Sequence, residues 1–104
     1  MSQNEVLDMI VARMRETFEV RRIILFGSQA RGTAGDESDY DVLVEVESDL
    51  SFWDRQTTGL RSLARRNFAV DLIVLTPEEV RQQSEFTGSA VDWALEEGRV
   101  IFAR

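Results

Sequence analysis

Residues 23–46, IILFGSQARGTAGDESDYDVLVEV, decide how this chain folds. They open on four apolar residues, Ile23, Ile24, Leu25 and Phe26, which read as a short buried strand stopped by Gly27. Residues 27–38 are rich in Gly, Ser, Asp and Thr and read as a loop, with room for one helical turn from Ser28. From Asp39 the pattern alternates as a second strand. Tyr40, Val42, Val44 and Val46 share one face, and Asp39, Asp41, Leu43 and Glu45 share the other.

Upstream, Ser2 and Glu5 form a capping box ahead of an amphipathic helix over about residues 3–18. Downstream, Ser51 with Asp54 opens a helix running to about Asn67, whose apolar stripe is Trp53, Leu60, Leu63 and Ala64. Residues 69–75 form the third strand. Thr76, Pro77 and Glu79 supply a cap, a first-turn proline and a capping glutamate for the next helix. A last helix over about residues 87–97 ends at Gly98, and residues 100–102 offer a short final strand. The alternation implies an α/β (α+β) fold with a small mixed sheet flanked by helices. At 104 residues the chain fits a single domain spanning 1–104.

Composition narrows the chemistry. The net charge of −7 argues against direct nucleic-acid binding, which rests on basic side chains neutralising phosphates. No apolar run approaches the roughly 18 residues of a membrane span, and the N-terminus lacks the basic region of a signal peptide. The expected location is cytoplasmic. There is no cysteine or histidine, and all 12 basic residues are arginine. Thiolate, imidazole and lysine chemistry are therefore excluded, as is a zinc site built on His or Cys. Carboxylates, hydroxyls, arginines and backbone amides remain, and carboxylates suit hard cations such as Mg²⁺.

Asp39 and Asp41, two apart on a strand, point to one face with Cα atoms roughly 7 Å apart. Their repulsion is relieved by a divalent ion between them. Asp71 stands early in the apolar third strand, where aspartate is disfavoured. Gly27 permits close backbone approach, and Ser28 presents a hydroxyl and free N–H groups to an anion. Taken singly, each feature has an ordinary reading as an acidic turn, a strand-end aspartate or a serine-capped turn. Together they say more. If the first two strands are antiparallel and a helix returns the chain to a third strand parallel to the second, Gly27-Ser28 and all three aspartates meet at one sheet edge.

Gly27-Ser28, ten residues, then Asp39-Tyr40-Asp41 resembles the signature of the polymerase-beta-type nucleotidyltransferase superfamily. The fuller strings, Gly27-Ser28-Gln29-Ala30-Arg31-Gly32 and Ser38-Asp39-Tyr40-Asp41, resemble its minimal nucleotidyltransferase (MNT) branch. The resemblance covers about residues 5–102, and Asp71 matches the third carboxylate of that superfamily. It implies that Asp39, Asp41 and Asp71 are catalytic and hold metal, two Mg²⁺ ions or Mn²⁺, and that ATP is the substrate. It further implies that Gly27 and Ser28 hold phosphates, with Arg31 contacting phosphate or clamping the loop. Arg31 has an alternative in a surface pair with Asp36 or Glu37. Members of this branch often pair with a helical HEPN protein, a ribonuclease-type toxin, and act as antitoxins by attaching AMP to it. The alternatives are a non-catalytic module that neutralises a partner by contact, or an enzyme acting on a small molecule as aminoglycoside nucleotidyltransferases do. The expected partner surface is the C-terminal helical region, with Phe86, Val91, Trp93, Ala94 and Leu95. Homo-oligomerisation stays open. Arg61, Arg65 and Arg66 read as a solvated basic patch on the middle helix, and Trp53 and Trp93 as core or interface residues.

Overall fold

Ser2 begins the first helix as the sequence implies. Its hydroxyl accepts from the Glu5 N–H, and the Glu5 carboxylate accepts from the Ser2 N–H, closing a capping box on α1 (Gln3–Thr17). The computed structural model describes residues 1–32, 39–64 and 66–104. After α1 come β1 (Glu19–Phe26), α2 (Gly27–Arg31), β2 (Tyr40–Glu47), α3 (Phe52–Ser62), β3 (Val70–Leu75), α4 (Pro77–Ser84), α5 (Ala90–Glu97) and β4 (Arg99–Ala103). One four-stranded sheet runs in the order β3-β2-β1-β4. β1 is antiparallel to both its neighbours, whereas β2 and β3 are parallel. The expected mixed sheet is present, and the optional last strand pairs along β1.

Alternation along the strands divides the interior into two layers. Val20, Ile23, Leu25, Tyr40, Val42, Val44, Val46, Leu72 and Val74 pack with Val6, Leu7, Ile10 and Met14 of α1 and with Leu63. On the opposite face Ile24, Phe26, Leu43 and Leu75 pack with Val80 of α4 and with Val91 and Ala94 of α5. Among the described residues no helix is long and apolar enough to cross a membrane.

Several elements differ from the sequence reading. β1 begins at Glu19, earlier than the apolar run, because Arg21 and Arg22 on its polar half pair across the sheet with Glu47 and Glu45 at 2.7 and 3.1 Å. α3 ends at Ser62, so Arg66 lies beyond it, and Arg65 lies outside the described residues. The expected apolar stripe of α3 is largely turned outward: Trp53 is 76% exposed, and Leu60 and Ala64 are exposed. Leu63 alone of that stripe is buried, and the inward positions of α3 are Arg55 and Gly59. Gly59 allows the helix to approach β3, since a Cβ there would stand 2.9 Å from a Leu72 methyl and 3.1 Å from one of Val74. Arg55, 2% exposed, makes a bidentate pair with Glu79 at 2.7 and 2.8 Å. Glu79 also accepts from the Thr76 N–H in the capping box of α4, so one carboxylate ties α3 to the start of α4. Gln56 joins the outer edge of β3: its amide accepts from Val74 N–H at 2.8 Å and donates to Val74 C=O at 2.6 Å, as a strand would. In the C-terminal helical region, Val91 and Ala94 belong to the core, while Phe86, Trp93 and Leu95 are exposed.

Candidate active site

The site assembles where β1 ends and β2 and β3 begin. Phe26, the last residue of β1, is the register partner of Asp41, and Asp41 is in turn the register partner of Asp71. Neighbouring strands lie about 4.8 Å apart, so a two-strand crossing brings Asp41 and Asp71 side by side. Both fall on the face that carries Leu43, Ile73 and Leu75, the α4/α5 side of the sheet. Asp39 immediately precedes β2 and is exposed, Asp71 is exposed, and Asp41 is half-buried between them. Tyr40 points the other way, into the α1 layer, edge-on to Phe68 at 5.7 Å, which fixes the rotation of β2 and hence the direction of its aspartates.

Gly27 makes the turn out of β1 with φ +72°, the left-handed region. A Cβ at this position would overlap the Asp41 carboxylate. The glycine therefore does two things: it takes a backbone conformation that costs other residues energy, and it lets the chain lie directly against Asp41. α2 starts here, and the first turn of a helix leaves N–H groups without intrahelical acceptors, at Gly27 and Ser28. Gly32 closes this short helix in the left-handed conformation, its N–H donating to Ser28 C=O. Gln3 at the start of α1 donates to the Gln29 carbonyl and side chain, both at 3.1 Å, pinning α2 to the body of the protein.

Electrostatics mark the cluster. Burial, and then the neighbouring carboxylates of Asp71 and Asp39, push the Asp41 carboxyl above the usual aspartate range. The positive charge of Arg31 acts against this rise. Arg31 itself pairs with Glu97 at 3.6 Å and lies over the Trp93 ring at 5.9 Å. The pairing with Asp36 or Glu37 lies outside the described residues. Glu97 and Trp93, far from Arg31 in sequence, carry no signal that would have placed them here. Among the described residues, no group of three acidic side chains is arranged as a finished metal cage. The donor set is nonetheless all oxygen, mutually repelling and partly desolvated, which suits a hard cation.

The family model described as the nucleotidyltransferase domain matches residues 7–101. The chain belongs to this nucleotidyltransferase family. A relative from Methanocaldococcus jannaschii, provisionally named a protein adenylyltransferase, is 32% identical over 88 residues, covering 80% of this chain and 79% of its own. The nucleotidyltransferase fold is also seen in a toxin–antitoxin crystal structure with AMP-PNP, with a TM-score of 0.68 at 22% identity, over 94% of this chain and 73% of that one. A chain from the complex of a tri-AMPylated Shewanella oneidensis HEPN toxin with MNT antitoxin superposes with a TM-score of 0.65 at 18% identity, over 99% of this chain and 74% of that one.

Proposed function

We propose that this nucleotidyltransferase moves AMP from ATP onto a hydroxyl of a HEPN-type protein partner in the cytoplasm, and so acts as its antitoxin. The observation that carries the reading is the placing of Asp41 beside Asp71 across parallel strands, with the Gly27 turn packed on Asp41. In this reading the backbone that would hold phosphate and the carboxylates that would hold metal share one edge of the sheet. The name of the Methanocaldococcus jannaschii relative and the AMPylated toxin in the Shewanella oneidensis complex support adenylyl transfer to a protein.

In this reading Asp39, Asp41 and Asp71 hold two Mg²⁺ ions, which would neutralise charge building on the transferring phosphate. Mg²⁺ is commonly held by one or two carboxylates together with substrate phosphates, so the aspartates need not close a cage alone. The N–H groups of Gly27 and Ser28 and the Ser28 hydroxyl hold the β and γ phosphates, and Arg31 adds a cation beside them. The partner's hydroxyl oxygen bonds to the α-phosphorus while the bond from that phosphorus to the bridging oxygen breaks. Pyrophosphate leaves, and Asp71 takes the hydroxyl proton. Catalysis is by positioning and charge stabilisation, which needs neither histidine nor lysine.

Incubating the chain with its co-expressed partner, α-labelled ATP and Mg²⁺, then locating the adduct by mass spectrometry, tests this. An AMP adduct on a partner hydroxyl is expected. A partner bound and silenced but never modified would replace this reading with the contact module, and label on a small molecule would replace it with the aminoglycoside-type reaction.

A further inference from the structure

The described contacts of Arg31 are with Glu97 and Trp93 of α5. Its Nη1 is 3.6 Å from Glu97 Oε2, and its guanidinium carbon is 5.9 Å from the Trp93 ring centroid. The same Glu97 oxygen accepts from Trp93 Nε1 at 2.5 Å. The indole therefore fixes the carboxylate, and the carboxylate and ring face together hold the guanidinium. Arg31 also stands four residues after Gly27 on α2, one turn along the same face, and Gly27 packs on Asp41. One cation is thus placed between two anionic neighbourhoods, the aspartate edge and the C-terminal end of α5.

We propose that Glu97, fixed by Trp93, is a positioning residue that restrains Arg31 and competes with the nucleotide triphosphate for it. This rests on the reading above, in which the triphosphate docks on Gly27, Ser28 and Arg31. The pair is half-exposed on both sides, and water screens it, so it is a weak restraint. A triphosphate carries more charge and accepts two parallel bonds from a guanidinium, so it wins the arginine at the cost of part of its affinity. Glu97 acts on ground-state binding and transition-state binding alike, and its removal lowers KM with little change in kcat.

Calorimetric titration of the full chain with Mg²⁺–ATP at fixed salt tests this on wild type, Glu97→Gln, Arg31→Gln and the double variant, with KM and kcat measured in the partner complex. Glu97→Gln is expected to bind about two- to fivefold tighter. It keeps an acceptor for Trp93, and the residue is exposed, so its melting temperature should match wild type. In the Arg31→Gln background the same substitution is expected to change nothing. Trp93→Phe keeps the ring face but frees the carboxylate, and is expected to tighten binding about twofold. Unchanged affinity in Glu97→Gln overturns the proposal. So does equal tightening with and without Arg31, which would mean simple charge repulsion of the phosphates. Wild-type affinity in Arg31→Gln overturns it while leaving the transferase reading intact. Failure of wild type to bind Mg²⁺–ATP at all overturns both.

Discussion

Asp41 of β2 and Asp71 of β3 stand directly opposite each other on neighbouring parallel strands. Two carboxylates in this relation repel, and burial of Asp41 adds to the cost of its charge. An apo protein that keeps such an arrangement gives up stability at the place where its chemistry is expected.

Asp41→Asn should therefore stabilise the metal-free protein, raising Tm by a few degrees at most. The pH dependence follows from the direction of the shift. The folded state holds the Asp41 proton more tightly than the unfolded state, whose ordinary value is 3.8. Protonation therefore contributes stability that is fully present below the unfolded value and is lost as pH rises through the raised folded value. Thermal melts without divalent ions across mildly acidic to neutral pH should show this component in wild type and not in Asp41→Asn. With Mg²⁺ the order should change, since metal binds the ionised form and stabilises wild type alone.

Gly27→Ala should cost roughly 1–2 kcal/mol from its left-handed backbone. Its effect on transfer should be larger than that loss accounts for, because the new methyl group must displace the Asp41 carboxylate. Urea denaturation and AMP-transfer rates on the same preparation measure the two separately. A variant destabilised but fully active would mean that Asp41 has freedom to move without consequence.

Ser28→Ala should weaken Mg²⁺–ATP binding more than binding of Mg²⁺ alone. Ser28 is the second residue of α2, next to the Gly27 turn that lies against Asp41, and under the proposed function it would offer a hydroxyl and an N–H to phosphate. Paired titrations, one with the metal and one with the metal nucleotide, decide the matter. Loss of one hydroxyl hydrogen bond to a charged group corresponds to about 1.5–3 kcal/mol.

Arg55 and Glu79 should respond unequally to truncation. Arg55 is buried and Glu79 is partly exposed, so Glu79→Ala strands a buried cation and also opens the capping box of α4. A loss of roughly 3 kcal/mol or more is expected. Arg55→Met leaves only a carboxylate that water can reach, and should cost less. Chemical denaturation of both variants gives the comparison.

The two capping boxes were legible from local rules, whereas the meeting of Gly27, Asp41 and Asp71 at one edge followed only on the condition that β1 and β2 run antiparallel and β3 parallel to β2, which the fold meets. Ser2 with Glu5 and Thr76 with Glu79 satisfy helix-end N–H groups whatever the tertiary context. Face alternation fixes where Asp41 points once Tyr40 and Val42 are known to be apolar and inward. The inward face of α3 was not legible. Arg55 is inside only because Glu79 meets it, and Gly59 is inside because β3 comes too close for a side chain. Hydrophobic periodicity registers neither cause, and it credits Trp53 and Leu60, which face outward. Arg31 shows the same limit: its α5 partners Trp93 and Glu97 are set by how the helices pack, not by spacing.

The most direct measurement is AMP incorporation from labelled ATP into the co-expressed partner, with wild type and Asp41→Asn compared side by side after circular dichroism has shown both to be folded. Incorporation by wild type that requires Mg²⁺ or Mn²⁺, and its loss by several orders of magnitude in a folded Asp41→Asn, is the expected result. Full incorporation by Asp41→Asn would contradict the assignment of this carboxylate edge as the catalytic site.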